Sequence, residues 1–268
     1  MSRRLSEVFA QTKSADRAAL IGYLPAGFPT PDASIELMNA MIDAGVDAIE
    51  VGLPYSDPLM DGADIQFAVD AALSAGTTTD VVLDVVRRLD GERAAILVMS
   101  YWNPIERYGV ERFAVALAAA GGNGVITPDL TPEEAGPWLA ATKANEIDRI
   151  FLVAPSSTDD RIVTVVKNTS GFVYAASTMG VTGARSQVGA GAQGLVARAR
   201  LATDLPIAVG LGVSTGAQAH EVAAYSDGVI VGSAFVRCIR QAVDLPAALA
   251  AVRTLAGELA EGVNRRAG

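Results

Sequence analysis

Eight short apolar runs, each leading through a polar or Gly/Pro turn into a helical pattern, predict an α/β fold: a single-domain TIM (β/α)8 barrel with extra helical segments. The chain has 268 residues, 50% of them hydrophobic, and a barrel of this type takes roughly 250. The runs are apolar throughout rather than alternating, as expected of parallel strands covered on both faces. One domain over 1–268 is expected, with the barrel over about 18–262; an open doubly wound sheet is the alternative.

In chain order the strands are expected around 18–25, 47–53, 94–101, 124–128, 149–154, 172–177, 206–211 and 228–232. Helices fit between them, among them 33–44, 133–146 and 215–224, with a terminal helix near 244–261. Two stretches exceed a plain strand–helix unit. The first runs from Pro54 to about residue 90 and holds a loop and two helices. The second is the Gly/Ala/Ser-rich run 180–194. In a barrel both lie at the C-terminal face, where active sites are built. The five glycines of 180–194 predict a loop that closes over bound substrate, with Arg185 its single basic residue.

Composition excludes several classes. A net charge of −9 without a basic stripe argues against a nucleic-acid partner. No apolar run approaches a membrane span, and the start, Met-Ser-Arg-Arg-Leu-Ser-Glu, has no apolar segment behind its charges, so a cytoplasmic protein is expected. The only cysteine, Cys238, sits on a helical pattern and reads as packing.

Chemistry concentrates at two places. Glu50 is a carboxylate within an apolar strand, and Asp61 follows on the Pro-rich loop Leu-Pro-Tyr-Ser-Asp-Pro-Leu-Met-Asp-Gly. Burying a carboxylate costs several kcal/mol unless it is paired or kept neutral, so the two read either as an acid/base pair or as ion-paired structural acids. Near the C-terminus, Gly212, Gly232 and Ser233 follow strands seven and eight. Barrels often bind phosphate there through backbone N–H groups, glycine keeping side chains away from the anion; tight turns are the bland alternative. Absences narrow the reaction. Lys13, Lys143 and Lys167 are the only lysines and none falls on a strand, which disfavours imine chemistry. His220, the only histidine, falls within a helix, so no metal site is expected. No Gly-x-Gly-x-x-Gly follows a strand, which disfavours a nucleotide cofactor. A phosphorylated substrate handled by carboxylates remains.

These residues resemble the α subunit of tryptophan synthase. The family signature Leu-Glu-[Leu/Val]-Gly-x-Pro-[Phe/Tyr]-Ser-Asp-Pro-x-x-Asp-Gly is similar to 49–62, with Ile49 in place of Leu, and the resemblance covers about residues 6–262. Further matches are Tyr101-Trp102-Asn103-Pro104, Asp129, Tyr174, Gly180-Val-Thr-Gly183, Gly212 and Gly232-Ser233. Met60 stands where a small residue is common, Ala63 where proline is common and Leu211 where many members have Phe, which bears on loop geometry and on the indole pocket.

The resemblance implies cleavage of indole-3-glycerol phosphate to indole and glyceraldehyde 3-phosphate. Glu50 and Asp61 are then catalytic, Glu50 with a raised pKa from its apolar strand and Asp61 ionised on a wet loop. Tyr174, Thr182, Gly183, Leu211, Gly212, Gly232 and Ser233 bind substrate, with Tyr174 orienting Glu50 or the substrate and Thr182 steadying Asp61. No cofactor is implied on this chain; pyridoxal phosphate belongs to a partner β subunit in an αββα assembly, docked on Pro54, Tyr55, Asp57, Asn103, Pro104 and Asp129. Two other readings are weighed: another phosphosugar-binding barrel isomerase of aromatic or histidine biosynthesis, and a non-catalytic partner of a larger enzyme, against which the presence of both carboxylates speaks.

Overall fold

The computed structural model describes residues 2–176, 189–210 and 212–264. Parallel strands run in chain order as β1 (Ala19–Pro25), β2 (Ala48–Gly52), β3 (Ala95–Met99), β4 (Gly124–Ile126), β5 (Asp148–Ile150), β6 (Leu152–Val153), β7 (Val173–Ala176), β8 (Ile207–Gly210) and β9 (Gly228–Val231). Their order in the sheet is β5-β4-β3-β2-β1-β9-β8-β7-β6. Its two ends, β5 and β6, are halves of one run interrupted only at Phe151, β5 pairing with β4 and β6 with β7. The sheet therefore closes on itself, which makes the architecture a TIM barrel of eight strand positions and excludes the open doubly wound sheet. The expected strand 149–154 is present but split, because its first half follows one neighbour and its second half the other.

Side-chain alternation sorts each strand into two cores. Ala19, Ile21, Ala48, Ala95, Leu97, Ile126, Ile150, Phe172, Ala208 and Ile230 point into the barrel and form one buried cluster. The residues between them, such as Leu20, Ile49, Val51, Ile96, Val98, Phe151 and Val209, face the surrounding helices and form the other. Both faces are covered, so the runs read as uniformly apolar in sequence. By the same alternation Glu50, two residues after Ala48, points inward.

The expected helices appear as α2 (Pro31–Asp43), α7 (Gly136–Ala144), α10 (Gly216–Ala223) and α12 (Leu245–Gly262). The Pro54–90 insertion holds the two helices anticipated, α3 (Ala63–Ser74) and α4 (Thr79–Arg88). Five helix starts are set by a side chain three residues back: Thr30, Thr78, Thr158, Thr215 and Asp244 accept the N–H groups of Ala33, Val81, Arg161, Gln218 and Ala247. Further helices are α5 (Trp102–Tyr108), α6 (Val110–Ala119), α8 (Asp159–Asn168), α9 (Gly189–Arg200) and α11 (Ser233–Gln241). No described helix is long and apolar enough to cross a membrane.

One element falls outside the barrel repeat. Helix α1 (Leu5–Ser14) sends Leu5, Val8 and Phe9 into the same cluster as the inward strand residues, and Phe9 lies 5.7 Å from Phe172, centroid to centroid. It closes the N-terminal end of the barrel, leaving the opposite end for chemistry. Phe9→Ala should cost roughly 3–5 kcal/mol of unfolding free energy, the range for a buried Phe truncation. Denaturant unfolding of the full chain checks this, and a loss below about 1 kcal/mol would contradict the closing role.

Candidate active site

The inward positions at the C-terminal end of the barrel carry the polar groups. Glu50 sits on β2 opposite Tyr23 of β1 and Leu97 of β3 in the strand register. It is 1% exposed, and its Oε1 is buried without a hydrogen-bond partner among the described residues. Desolvation pushes its carboxyl up to about 8, so at neutral pH the fold holds mainly the acid form. The expectation of a raised Glu50 is met, through the cause anticipated.

Space for two phenols beside this carboxyl comes from missing side chains. A Cβ at Gly52 would lie 2.5 Å from the Tyr23 hydroxyl, and one at Gly210 would collide with the hydroxyl of Tyr174. Burial raises both phenols well above their ordinary range; Asp61 and then Glu50 add to this at Tyr23, and Glu50 at Tyr174, so both remain neutral donors. The hydrogen bond expected from Tyr174 is not made to Glu50 Oε1. Tyr23 went unrecognised in the sequence, because an inward aromatic on a strand looks like core until the glycine facing it is located.

Asp61 departs from expectation. Its loop is exposed at Leu59 and Met60, but the Asp61 side chain is half-buried: burial raises its carboxyl above the usual range, opposed by a hydrogen bond from Tyr101. The Tyr101 hydroxyl donates to Asp61 Oδ1 at 3.1 Å, and Gln66 Nε2 holds the Asp61 carbonyl at 2.8 Å. Two carboxyl groups thus flank one barrel mouth, the first buried with its Oε1 unpartnered among the described residues, the second half-buried and held by a phenol. Ala63 is the first residue of α3 after the Gly62 cap, a position that accepts proline or alanine alike, so its departure from the family pattern leaves the helix start in place.

The glycine turns also reach this end. Gly212 has φ +69°, a conformation that favours glycine, and a Cβ there would meet no heavy atom of the described residues within 4 Å. Gly232 precedes α11, which begins at Ser233 with no side-chain cap, and a Cβ at Gly232 would lie 3.1 Å from the Tyr23 ring. A helix N-terminus without a side-chain cap beside a glycine turn suits a phosphate. Thr182, Gly183, Leu211 and Arg185 lie outside the described residues, as does the loop expected at 180–194 up to residue 188; its last part, 189–194, is not loop but the first half of α9, where a Gly/Ala run continues into the apolar Leu195 and Val196.

The loops expected to face a partner meet on the same end. Asn103 Nδ2 donates to the Tyr55 hydroxyl at 2.9 Å, and Tyr55 lies 5.4 Å from the Tyr101 ring. Asp129 accepts the Trp102 N–H with both oxygens, at 2.9 and 3.1 Å, anchoring the start of α5 and with it Asn103 and Pro104. Pro54 is buried, Asp57 is exposed and accepts the Ser56 hydroxyl, and Leu59 and Met60 are exposed beyond them. His220 lies away on α10, its Nδ1 3.0 Å from the Asn264 carbonyl oxygen, and Cys238 is half-buried on α11. Among the described residues no group of three or more His, Cys, Asp or Glu is placed to hold a metal ion.

Glu50 opposes folding whenever the unfolded chain could ionise it. Its folded value lies above the ordinary 4.5, so the cost is absent below about pH 4.5, grows as pH rises toward 8 and then levels off. At about 1.4 kcal/mol per tenfold this reaches several kcal/mol. Glu50→Gln should therefore be more stable than the native chain at pH 7–8 and lose that advantage near pH 4.5; an equal difference at both pH values in denaturant titrations would contradict the unpaired, neutral state.

Comparison with known proteins agrees along the whole barrel. The family model described as "Tryptophan synthase alpha chain" matches residues 9–264. The chain is 58% identical over 266 residues to the tryptophan synthase alpha chain of Thermobifida fusca (strain YX), covering 98% of each chain, and 56% identical to that of Acidothermus cellulolyticus, covering 97% of each. Among solved structures it is similar to Mycobacterium tuberculosis tryptophan synthase, with a TM-score of 0.91 at 52% identity over 98% of this chain and 99% of that one. It is also similar to subunit alpha from Legionella pneumophila str. Paris, with a TM-score of 0.90 at 29% identity over 99% of this chain and 100% of the other.

Proposed function

Because the chain belongs to the tryptophan synthase alpha chain family, as its match to the family model and to close relatives shows, we propose that Glu50 and Asp61 are the groups that carry out this family's reaction. That reaction is the retro-aldol cleavage of indole-3-glycerol phosphate to indole and glyceraldehyde 3-phosphate, and the chain is a carbon–carbon lyase. The alternative of a phosphosugar isomerase is not favoured by the family match.

The observation that carries the assignment is the buried Glu50 carboxyl on the inward face of the barrel, its Oε1 without a partner among the described residues and its pKa raised by burial to about 8. An aromatic indole is a poor leaving group. In its acid form Glu50 gives a proton to ring carbon C3, forming the indolenine, whose electron-poor ring can accept the electrons of the breaking C–C bond. The resulting carboxylate then takes the proton of the glycerol hydroxyl as that carbon becomes the aldehyde. Positive charge at the ring nitrogen is met by Asp61, which must be ionised to accept the ring N–H. A difference between the two carboxyls supports this division: burial raises both, but on Glu50 it acts alone, whereas on Asp61 it is opposed by a donor that favours the charged form.

Gly212, Gly232 and Ser233 take the phosphate through backbone N–H groups, and Tyr174, Thr182, Gly183 and Leu211 complete the substrate pocket. Indole is small and apolar, so it passes directly to a pyridoxal-phosphate β subunit docked on Pro54, Tyr55, Asp57, Asn103, Pro104 and Asp129; this chain needs no cofactor of its own. The tie of Asn103 to Tyr55, and of Asp129 to α5, supports that docking face by setting its loops as one surface. A cytoplasmic protein acting as one barrel domain within an α2β2 assembly follows.

Glu50→Gln keeps the size and removes the titrating proton, so the rate should fall by about 10²–10⁴ with the fold intact, and near-normal turnover would overturn the assignment. In the native chain, activity should decline as pH rises through about 8, when the proton donor is lost. Gly212→Leu should raise the KM for indole-3-glycerol phosphate by about tenfold or more, by placing a side chain against the anion. Binding of free indole should change much less, and an equal loss for both ligands would point to misfolding.

A further inference from the structure

The Tyr101 hydroxyl joins three groups of a single loop. It donates to Asp61 Oδ1 at 3.1 Å and accepts the backbone N–H groups of Leu59 and Met60, each at 3.2 Å. The side chains of that loop do little to hold it in place, because Leu59 is 77% and Met60 42% exposed. Tyr101, by contrast, is 6% exposed and stands at the junction of β3 and α5, whose start is fixed by both oxygens of Asp129. The phenol is thus a rigid post, and the loop hangs on it through a donor and two acceptor contacts.

We propose that Tyr101 is a positioning residue for the lyase reaction: its hydroxyl sets the 59–61 backbone and engages Asp61 Oδ1, leaving Oδ2 for the ring N–H of the substrate. This rests on Asp61 being the carboxylate that meets that N–H. Removing the hydroxyl strands two backbone donors and frees the carboxylate to rotate, so the loss is felt at the reacting end of the substrate and not at its phosphate. Burial and the neighbouring Asp61 hold the phenol well above its ordinary range, so it stays a donor across the working pH. Its donation favours the Asp61 carboxylate, which gives the role a signature in pH: without the donor, Asp61 ionises at higher pH.

The test is steady-state cleavage of indole-3-glycerol phosphate by the full chain with its β subunit, as a function of pH, for the native chain, Tyr101→Phe, Asp61→Asn and the double variant. Tyr101→Phe should lower kcat about 10- to 100-fold, the equivalent of one lost hydrogen bond to a charged group, with KM changed by less than about threefold. The acid limb of kcat should move to higher pH. In the Asp61→Asn background, Tyr101→Phe should add no further loss. A full kcat, an unmoved acid limb, or losses that multiply in the double variant would each overturn the positioning role. A near-native rate for Asp61→Asn would instead overturn the Asp61 assignment and this role with it, whereas a deep loss there beside an unaffected Tyr101→Phe would overturn only the latter. If Tyr101→Phe melts below the assay temperature, 3-fluorotyrosine at position 101 keeps the ring and strengthens the donor. The acid limb should then move to lower pH, and an unmoved limb overturns the proposal.

Discussion

A single carboxyl group buried inside a closed barrel, with no partner for one of its oxygens, sets the terms for the rest of the molecule. Glu50 can stay there only as the acid, and only if water is kept from the barrel interior. Helix α1 meets that condition from below, with Leu5, Val8 and Phe9 joining the inward strand residues in one core. From above, the space around Glu50 is shaped by omission. Gly52 and Gly210 carry no side chain where the hydroxyls of Tyr23 and Tyr174 need room. The same desolvation that makes Glu50 a proton donor near neutrality is a cost to stability, and the large double core of the barrel is what tolerates it.

The two halves of the site are mechanically joined as well as adjacent. Helix α3 begins two residues after Asp61, and α11 begins at the glycine turn where an anion is expected. Arg237 of α11 pairs with Asp64 of α3 at 3.0 Å, Arg240 pairs with the same carboxylate at 3.5 Å, and the Arg240 guanidinium lies 4.4 Å above the Phe67 ring. The loop that carries Asp61 is therefore tied at one end, through α3, to α11 and at the other, through Tyr101, to the start of α5. Partly exposed ion pairs contribute little singly, but three contacts between the same two helices fix their relative placement.

Much of the fold was legible because a barrel strand is buried on both sides and so appears as an uninterrupted apolar run. Val-Ile-Val at 229–231 and Ala-Ile-Leu-Val at 95–98 could be read directly. The split of the fifth strand at Phe151 was not legible, since Ile150, Phe151 and Leu152 are equally apolar and only pairing distinguishes β5 from β6. Helix α1 was missed because its short apolar face sits among charges and is meaningful only against the bottom of the barrel. At the site, Glu50 was legible as a carboxylate out of place in its strand. The state of Asp61 was not, because the hydroxyl that holds it belongs to Tyr101, forty residues along the chain, and its burial comes from the folding of the loop. Gly212 and Gly232 could be found from the turns, whereas the matching of Gly52 to Tyr23 depends on which strands become neighbours.

The central claim is that Glu50 is held as a neutral acid by burial alone, and the most direct measurement is a ¹³C NMR titration of its side-chain carboxyl in the full, folded chain, assigned by comparison with Glu50→Gln. A midpoint near pH 8 is the expected result. A midpoint near the ordinary glutamate value of 4.5 would contradict it, and would mean that water or an unrecognised donor reaches the carboxyl inside the barrel.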